Sequence, residues 1–524
     1  MGTKVNSNYE DLITYTRASK GYALRPVSYG SNLVLNGTFG FNTNNWTAGG
    51  GASLLSFGKQ LRVENPSSAN FGYAVQGVAT EVGEIYALSV DFNYIEANGL
   101  VKVGTTSGGD QILTKSFGSA DEGTHRFKFV ATSTTTHIRV GLSVNTANVE
   151  ARFDNIVLQK ITFDQPDGTL TLFEHPENVP RVEYDADGNR LGLLVEEQRT
   201  NLLRYSEDFE NSYWDNISNA TADNNTVTSP TGETNGATIT ATGSSHRAKI
   251  GIITTQNTTV TFSAFLKAGT QSIVGLHFAD NLGDELNDNC DFDLSNGTVS
   301  SEGSSSTAKI QDMGNGWYRC SNTYTTNATG STLAVRLATS SAGTYHVFGA
   351  QVEEASFPTS YIKNEGTSSG VTRSADVASI PVADFGYNQS AGTVFIEAAI
   401  NGIDGTYSRY VQFNGSPNNL GIYHHPSLDR VVYDKGTVGS LAHSSTGTLG
   451  SFDKIIASSD SSGGAIDTNS GSLDTTTTTV DSGVTTVIYL GSSGGVNNFL
   501  NGHIKSIKYY PRRLSNAQLV ELTS

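Results

Sequence analysis

The chain has 524 residues, too many for one hydrophobic core, and at roughly 150 residues per domain it divides into three or four units. Charged residues make up only 16%, Gly numbers 56, and Ser, Thr and Asn are abundant, whereas a 36% hydrophobic content with 23 Phe and 22 Tyr argues for packed cores rather than disorder. The net charge of −17 weighs against nucleic-acid and anionic-membrane partners, because phosphate binding needs clustered Lys and Arg.

Residues 1–30 hold one short alternating run, Leu12 to Thr16, followed by Arg17-Ala18-Ser19. This predicts an N-terminal arm or anchor. No apolar leader and no stretch of 18 apolar residues is present, so the expectation is synthesis in a cytoplasm without Sec export and without membrane insertion. Residues 31–162 carry period-2 patterns: Tyr86, Leu88, Val90, Phe92 and Tyr94; Phe127 and Phe129; Ile138, Val140, Leu142 and Val144. Side chains two apart share a strand face, so each run buries one side and wets the other, which predicts an antiparallel β-sandwich. Residues 163–200 read as a hairpin connector, with Asp185-Ala186-Asp187-Gly188-Asn189 as its turn rather than a calcium loop, since Gly188 comes too early.

Residues 201–364 repeat the sandwich pattern, with Ser300–Thr307 expected as a surface loop. Residues 365–524 form a third sandwich after a Gly/Ser-rich linker, with Thr475–Thr479 as an edge strand or loop. One helix closes the chain: Ser515 caps it, Gln518 completes a capping box, and Leu514 and Leu519 form a hydrophobic staple. The predicted fold is therefore all-β, three antiparallel jelly-roll-like sandwiches with a small β-platform and one short C-terminal helix.

The first two sandwiches share their ends. One opens at Asn32-Leu33, passes Phe39 and Trp46, and closes at Phe153-Asp154-Asn155-Ile156; the other opens at Asn201-Leu202, passes Phe209 and Trp214, and closes at Phe348-Gly349-Ala350-Gln351. Matching ends at nearly equal spacing indicate a duplicated domain type.

Motifs for chemistry are sparse. Glycoside hydrolysis needs two carboxyls across a sugar bond, and no paired-carboxylate strand motif, G-x-S-x-G, H-E-x-x-H or P-loop is present. Glu196-Glu197 and Glu353-Glu354 read as solvated strand ends, and His424-His425 before Pro426 as a surface turn. Cys290 and Cys320 read as two buried thiols, although a disulfide between them stays open. No cofactor or metal is expected. Trp46, Tyr73, Tyr213 and Trp214 are the candidate glycan-binding residues, because sugar C–H faces stack on aromatic rings; the competing reading gives the two tryptophans equivalent core positions.

Several phrases resemble tail-fibre and virion structural proteins of tailed bacteriophages. These are Pro180-Arg181-Val182-Glu183-Tyr184, then Glu196-Glu197-Gln198-Arg199-Thr200-Asn201-Leu202-Leu203, Gly314-Asn315-Gly316-Trp317-Tyr318-Arg319, and Phe357-Pro358-Thr359-Ser360-Tyr361-Ile362. Asn501-Gly502-His503-Ile504-Lys505 and Tyr509-Tyr510-Pro511-Arg512-Arg513 resemble concanavalin/laminin-G-like sandwiches. The first sandwich is similar to carbohydrate-binding modules, in which an Asp at the position of Asp154 can hold a structural calcium. In the phage group the Thr16-Arg17-Ala18-Ser19 motif lies close before the Pro180-Arg181 motif. The resemblance therefore implies that the first sandwich is inserted into a β-platform made of residues 9–30 and 163–200. It also implies a virion fibre or spike protein, a homotrimer among other virion proteins, that binds host cell-surface polysaccharide and is not an enzyme. The alternatives are a capsid-decoration or fibre-joining protein without glycan binding, and a polysaccharide depolymerase.

Overall fold

Alternating side chains commit one face of each strand to a core, and the computed structural model is all-β, with antiparallel pairing among the described strands. It describes residues 12–67, 70–214, 216–253, 257–280, 289–326, 332–403, 407–414, 421–428, 430–434, 440–444, 449–469, 471, 473–477 and 484–524. The chain divides into two compact units: Pro26–Thr169 is one, and the chain on either side of it is the other.

In the unit Pro26–Thr169, strand Ile85–Tyr94 lies between Gly123–Val130 and the long strand Val149–Phe163, which also carries Gln60–Asn65 and through it Ser53–Phe57. A second sheet runs Thr47–Gly49, Tyr73–Ala79, Thr135–Leu142, Gly99–Gly104, Leu113–Phe117. The alternating set Leu88, Val90 and Phe92 packs in one cluster with Val101, Val103, Ile138, Val140 and Phe153. At about 25 cal/mol per Å² of apolar area removed from water, such inward stripes hold the layers together.

The second sandwich is built on one strand, Gly236–Ile253. Its start pairs with Gly343–Glu353 and its end with Thr332–Thr339, so a single strand runs through both halves of a continuous sheet. The core holds Phe209, Trp214, Phe262, Phe278 and Phe292, and both cysteines are buried free thiols. Ser300–Thr307 is not one loop: Thr298–Ser301 and Ser306–Asp312 are strands around a short turn.

Among the described residues, the third sandwich has two seven-stranded sheets around one core of Ile396, Val411, Phe413, Ile422, Ile455 and Leu490. Its edges come from far away in sequence. Thr14–Thr16 pairs with Val377–Pro381, and the hairpin Val182–Tyr184/Arg190–Val195 pairs with Gly502–Tyr510. Strand Gly21–Tyr29 neighbours Thr169–His175 in one sheet, the pairing expected of a platform from residues 9–30 and 163–200, while Thr14–Thr16 and the hairpin, too short to bury a core alone, complete the third sandwich. The hairpin turn forms as expected, with Asp185 accepting from the Asp187 and Asn189 amides. Of Thr475–Thr479, the first two residues belong to strand Asp474–Thr476 and the last two lie outside the described residues. The C-terminal helix Asn516–Thr523 has its capping box on Ser515 and Gln518 and buries Leu519.

Candidate functional site

The matching ends of the first two sandwiches are a matching clamp. Asn32 Oδ1 accepts from the Val34 and Leu158 amides, both at 3.0 Å. Asn201 Oδ1 accepts from Leu203 at 3.0 Å and Val352 at 3.1 Å. Each opening Asn thereby ties the entering chain to the closing strand. Leu33 N to Leu158 O and Leu202 N to Val352 O, each 2.8 Å, extend both ties by one rung. Both closing strands are also irregular at the same place, with positive φ at Asn155 and at Gly349. A Cβ on Gly349 would sit 3.0 Å from the Phe265 ring, which accounts for glycine there.

The four aromatic candidates are separately engaged. Trp214 is fully buried against Phe209, with ring centroids 5.1 Å apart, and presents no face to a ligand. Trp46 packs on Phe39 at 5.6 Å and donates from Nε1 to Asn36 O. Tyr73 lies under the Arg139 guanidinium, 3.8 Å from the ring centroid, with its hydroxyl against Gly108. Tyr213 is half-buried, with Lys249 Nζ 4.8 Å from its centroid and Tyr205 at 5.6 Å. Asp154 stands opposite Asp91 across the strands; burial and then the Asp91 charge push its carboxyl up, against the Asn155 amide that lowers it. Among the described residues no three His, Cys, Asp or Glu are placed to hold a metal.

Residues of the Thr16–Ser19, Pro180–Tyr184, Glu196–Leu203 and Phe357–Ile362 motifs converge on one buried ion network. Asp376 receives the Tyr15 hydroxyl, Arg17 Nη1 at 3.2 Å, Arg181 Nη2 and the Glu196 amide at 2.9 Å. Glu196 holds Arg181 Nη2 at 2.9 Å and the Ser360 amide and hydroxyl at 2.8 and 2.6 Å, with Arg373 Nη2 at 3.4 Å. Burial alone would raise both carboxyls. The guanidinium groups overcome it: Arg373 and Arg181 hold Glu196, and Arg181, Arg17 and Arg373 hold Asp376, below the usual range. Glu196 and Glu353 are buried, which corrects the reading of the Glu pairs as solvated strand ends. Adjacent residues do point to opposite faces, as Glu354 is exposed, but the inner member of each pair is enclosed. Glu353 finds the Thr359 amide and hydroxyl, and burial pushes its carboxyl up. With no outlet to solvent, this network is a joint and not a ligand site.

The arrangement best suited to a ligand lies on the outward face of the third sandwich. Strands Ser408–Asn414 and Gly421–His425 pair Arg409 with Tyr423, so alternate residues Tyr423 and His425 turn away from the core that holds Ile422. Tyr407 meets Tyr423 and His425 edge-on, with centroids 4.9 and 5.0 Å apart, which makes an angular aromatic corner. The Arg409 guanidinium lies 4.7 Å over the Tyr423 ring, in space kept open because Gly421 has no side chain: a Cβ there would be 2.9 Å from Nη1. Arg409 is only 5% exposed, and its Nε and Nη1 have no hydrogen-bond partner among the described residues. Burial lowers its pKa, against the smaller raising effects of Tyr423, Asp434 and Tyr407. His425 Nδ1 is also buried and without a partner among the described residues. The sequence reading of His424-His425 as a turn is corrected: both end a strand, and Pro426 starts the short 3-10 turn after it. Alternation across Tyr407/Arg409 and Tyr423/His425 was the available signal, but only strand register brings the two pairs together.

No family model matches the chain, and the search of curated proteins finds no match. Among solved structures, the chain is similar to the CBM22-1–CBM22-2 tandem domain of Paenibacillus barcinonensis Xyn10C at 11% identity, covering 64% of this chain and 98% of that one, with a TM-score of 0.19. It is also similar to Trypanosoma rangeli sialidase at 10% identity, covering 96% and 94%, with a TM-score of 0.23. The sialidase complex with sialic acid gives 11% identity, 92% and 84% coverage, and 0.24. The presence of sialidases overturns the expectation that the chain is not an enzyme, which is withdrawn; superpositions this loose assign no activity in its place.

Proposed function

We propose that this chain is a bacteriophage virion fibre or spike component that binds host-surface glycan through its β-sandwiches. The observation that carries the glycan reading is the outward corner of Tyr407, Tyr423 and His425 beside Arg409, where aromatic rings adjoin buried guanidinium donors that lack acceptors among the described residues. Flat C–H faces of a pyranose fit the rings, and its oxygens fit the donors. The phage assignment rests on the Pro180–Tyr184, Glu196–Leu203, Gly314–Arg319 and Phe357–Ile362 phrases. A homotrimer would present three copies of each site, and linked weak sites gain avidity without new contacts. The test is a glycan array of neutral and acidic bacterial polysaccharides probed with the purified protein and with Tyr407→Ala. Binding that the substitution abolishes is expected. Absence of binding across the array would leave the fibre-joining role and discard the glycan reading. An electron-microscopic map of the intact particle checks location and symmetry.

A further inference from the structure

Resting on that reading, we infer that the third-sandwich corner selects acidic sugars, with Arg409 pairing the sugar carboxylate. A neutral sugar would use the aromatic corner equally well, so the argument turns on Arg409. A guanidinium that is 5% exposed carries its charge into a poorly solvated place, and two of its three nitrogens meet no acceptor among the described residues. Unsatisfied buried donors are costly, most of all on a charged group. The Tyr423 ring below contributes only its face. Asp434 raises the Arg409 pKa from a distance without a hydrogen bond to it among those the structure gives. What Nε and Nη1 lack among the described residues is a hydrogen-bond acceptor, and the carboxylate of a uronic or nonulosonic acid supplies a charged one on a ring that the Tyr407 and Tyr423 edges can bracket. His425 Nδ1, buried on the same face and without a partner among the described residues, would take a hydroxyl of that ring.

The test is ligand-observed NMR on the full chain with six free sugars: glucuronate, galacturonate and N-acetylneuraminate, beside glucose, galactose and N-acetylglucosamine. At least one acidic sugar is expected to bind about tenfold to a hundredfold more tightly than the neutral ones, the range of a charge-assisted hydrogen bond. Arg409→Met should erase that preference and leave weak neutral binding. Because it removes a buried charge without a partner, it should not lower the urea midpoint. Equal binding of acidic and neutral sugars, or a preference that survives Arg409→Met, overturns the acidic-sugar inference and leaves the glycan reading standing. No binding of any of the six, together with a silent glycan array, overturns both. A large loss of stability in Arg409→Met also overturns it, by making Arg409 a structural residue.

Discussion

Asp376→Asn tests the buried network most directly. Asp376 is fully buried and receives donors from Tyr15, Arg17, Arg181 and the Glu196 backbone, which binds the N-terminal arm, the 181–196 hairpin and the segment entering the third sandwich at one carboxylate. The five charged groups, three guanidiniums and two carboxylates, carry one net positive charge; the substitution raises this to two and turns an amide toward the guanidiniums. Removing one partner from a buried ion pair costs about 3–5 kcal/mol, against about 0–1 kcal/mol for a pair on the surface. The assay is urea unfolding followed by tryptophan fluorescence in a Trp46→Phe background. The signal then comes only from Trp214 and Trp317, both in the unit that holds the network. The double variant with Arg181→Met should cost at least 1 kcal/mol less than the sum of the single variants. A cost for Asp376→Asn below about 1 kcal/mol would refute the reasoning, since it would make the network no stronger than a surface pair.

Acid should weaken the same unit with a defined sign. Glu196 and Asp376 have folded pKa values below their unfolded ones, so their stabilisation is complete above about pH 4–5 and is lost as pH falls through the folded values. The urea midpoint should hold from pH 7 to 5, drop below about pH 4, and drop less in Asp376→Asn; an equal drop in both would contradict the assignment. Asn201→Ala should cost about 2–4 kcal/mol. It removes acceptance from two amides and donation to Ser206 Oγ and Ile362 O, all buried, whereas the more exposed Asn32→Ala should cost about 1 kcal/mol by the same measurement. Ser515→Ala should cost about 1 kcal/mol locally, read as faster amide exchange in the C-terminal helix with the sandwiches unchanged.

The sequence by itself determined what is local. Period-2 alternation placed the strands because a pleated strand has two faces and only one reaches a core. The Ser515–Gln518 cap and the Asp185–Asn189 turn followed from side chains that bond their own neighbours. The repeated Asn-to-Trp pattern announced two related sandwiches before its cause, an Asn clamp on the closing strand, was visible. The tertiary structure decided which sheet each strand joins, because the hydrogen bonds of an edge strand are indifferent to sequence distance: Tyr15 and Leu193 pair with partners near residues 378 and 504. It also decided burial. Glu196 and Glu353 look solvated in sequence, and only enclosure by Arg181, Arg373, Ser360 and Thr359 makes a buried carboxylate tolerable. The corner of Tyr407, Tyr423, His425 and Arg409 was hidden for the same reason, since its members meet through the register of two paired strands, which no local pattern encodes.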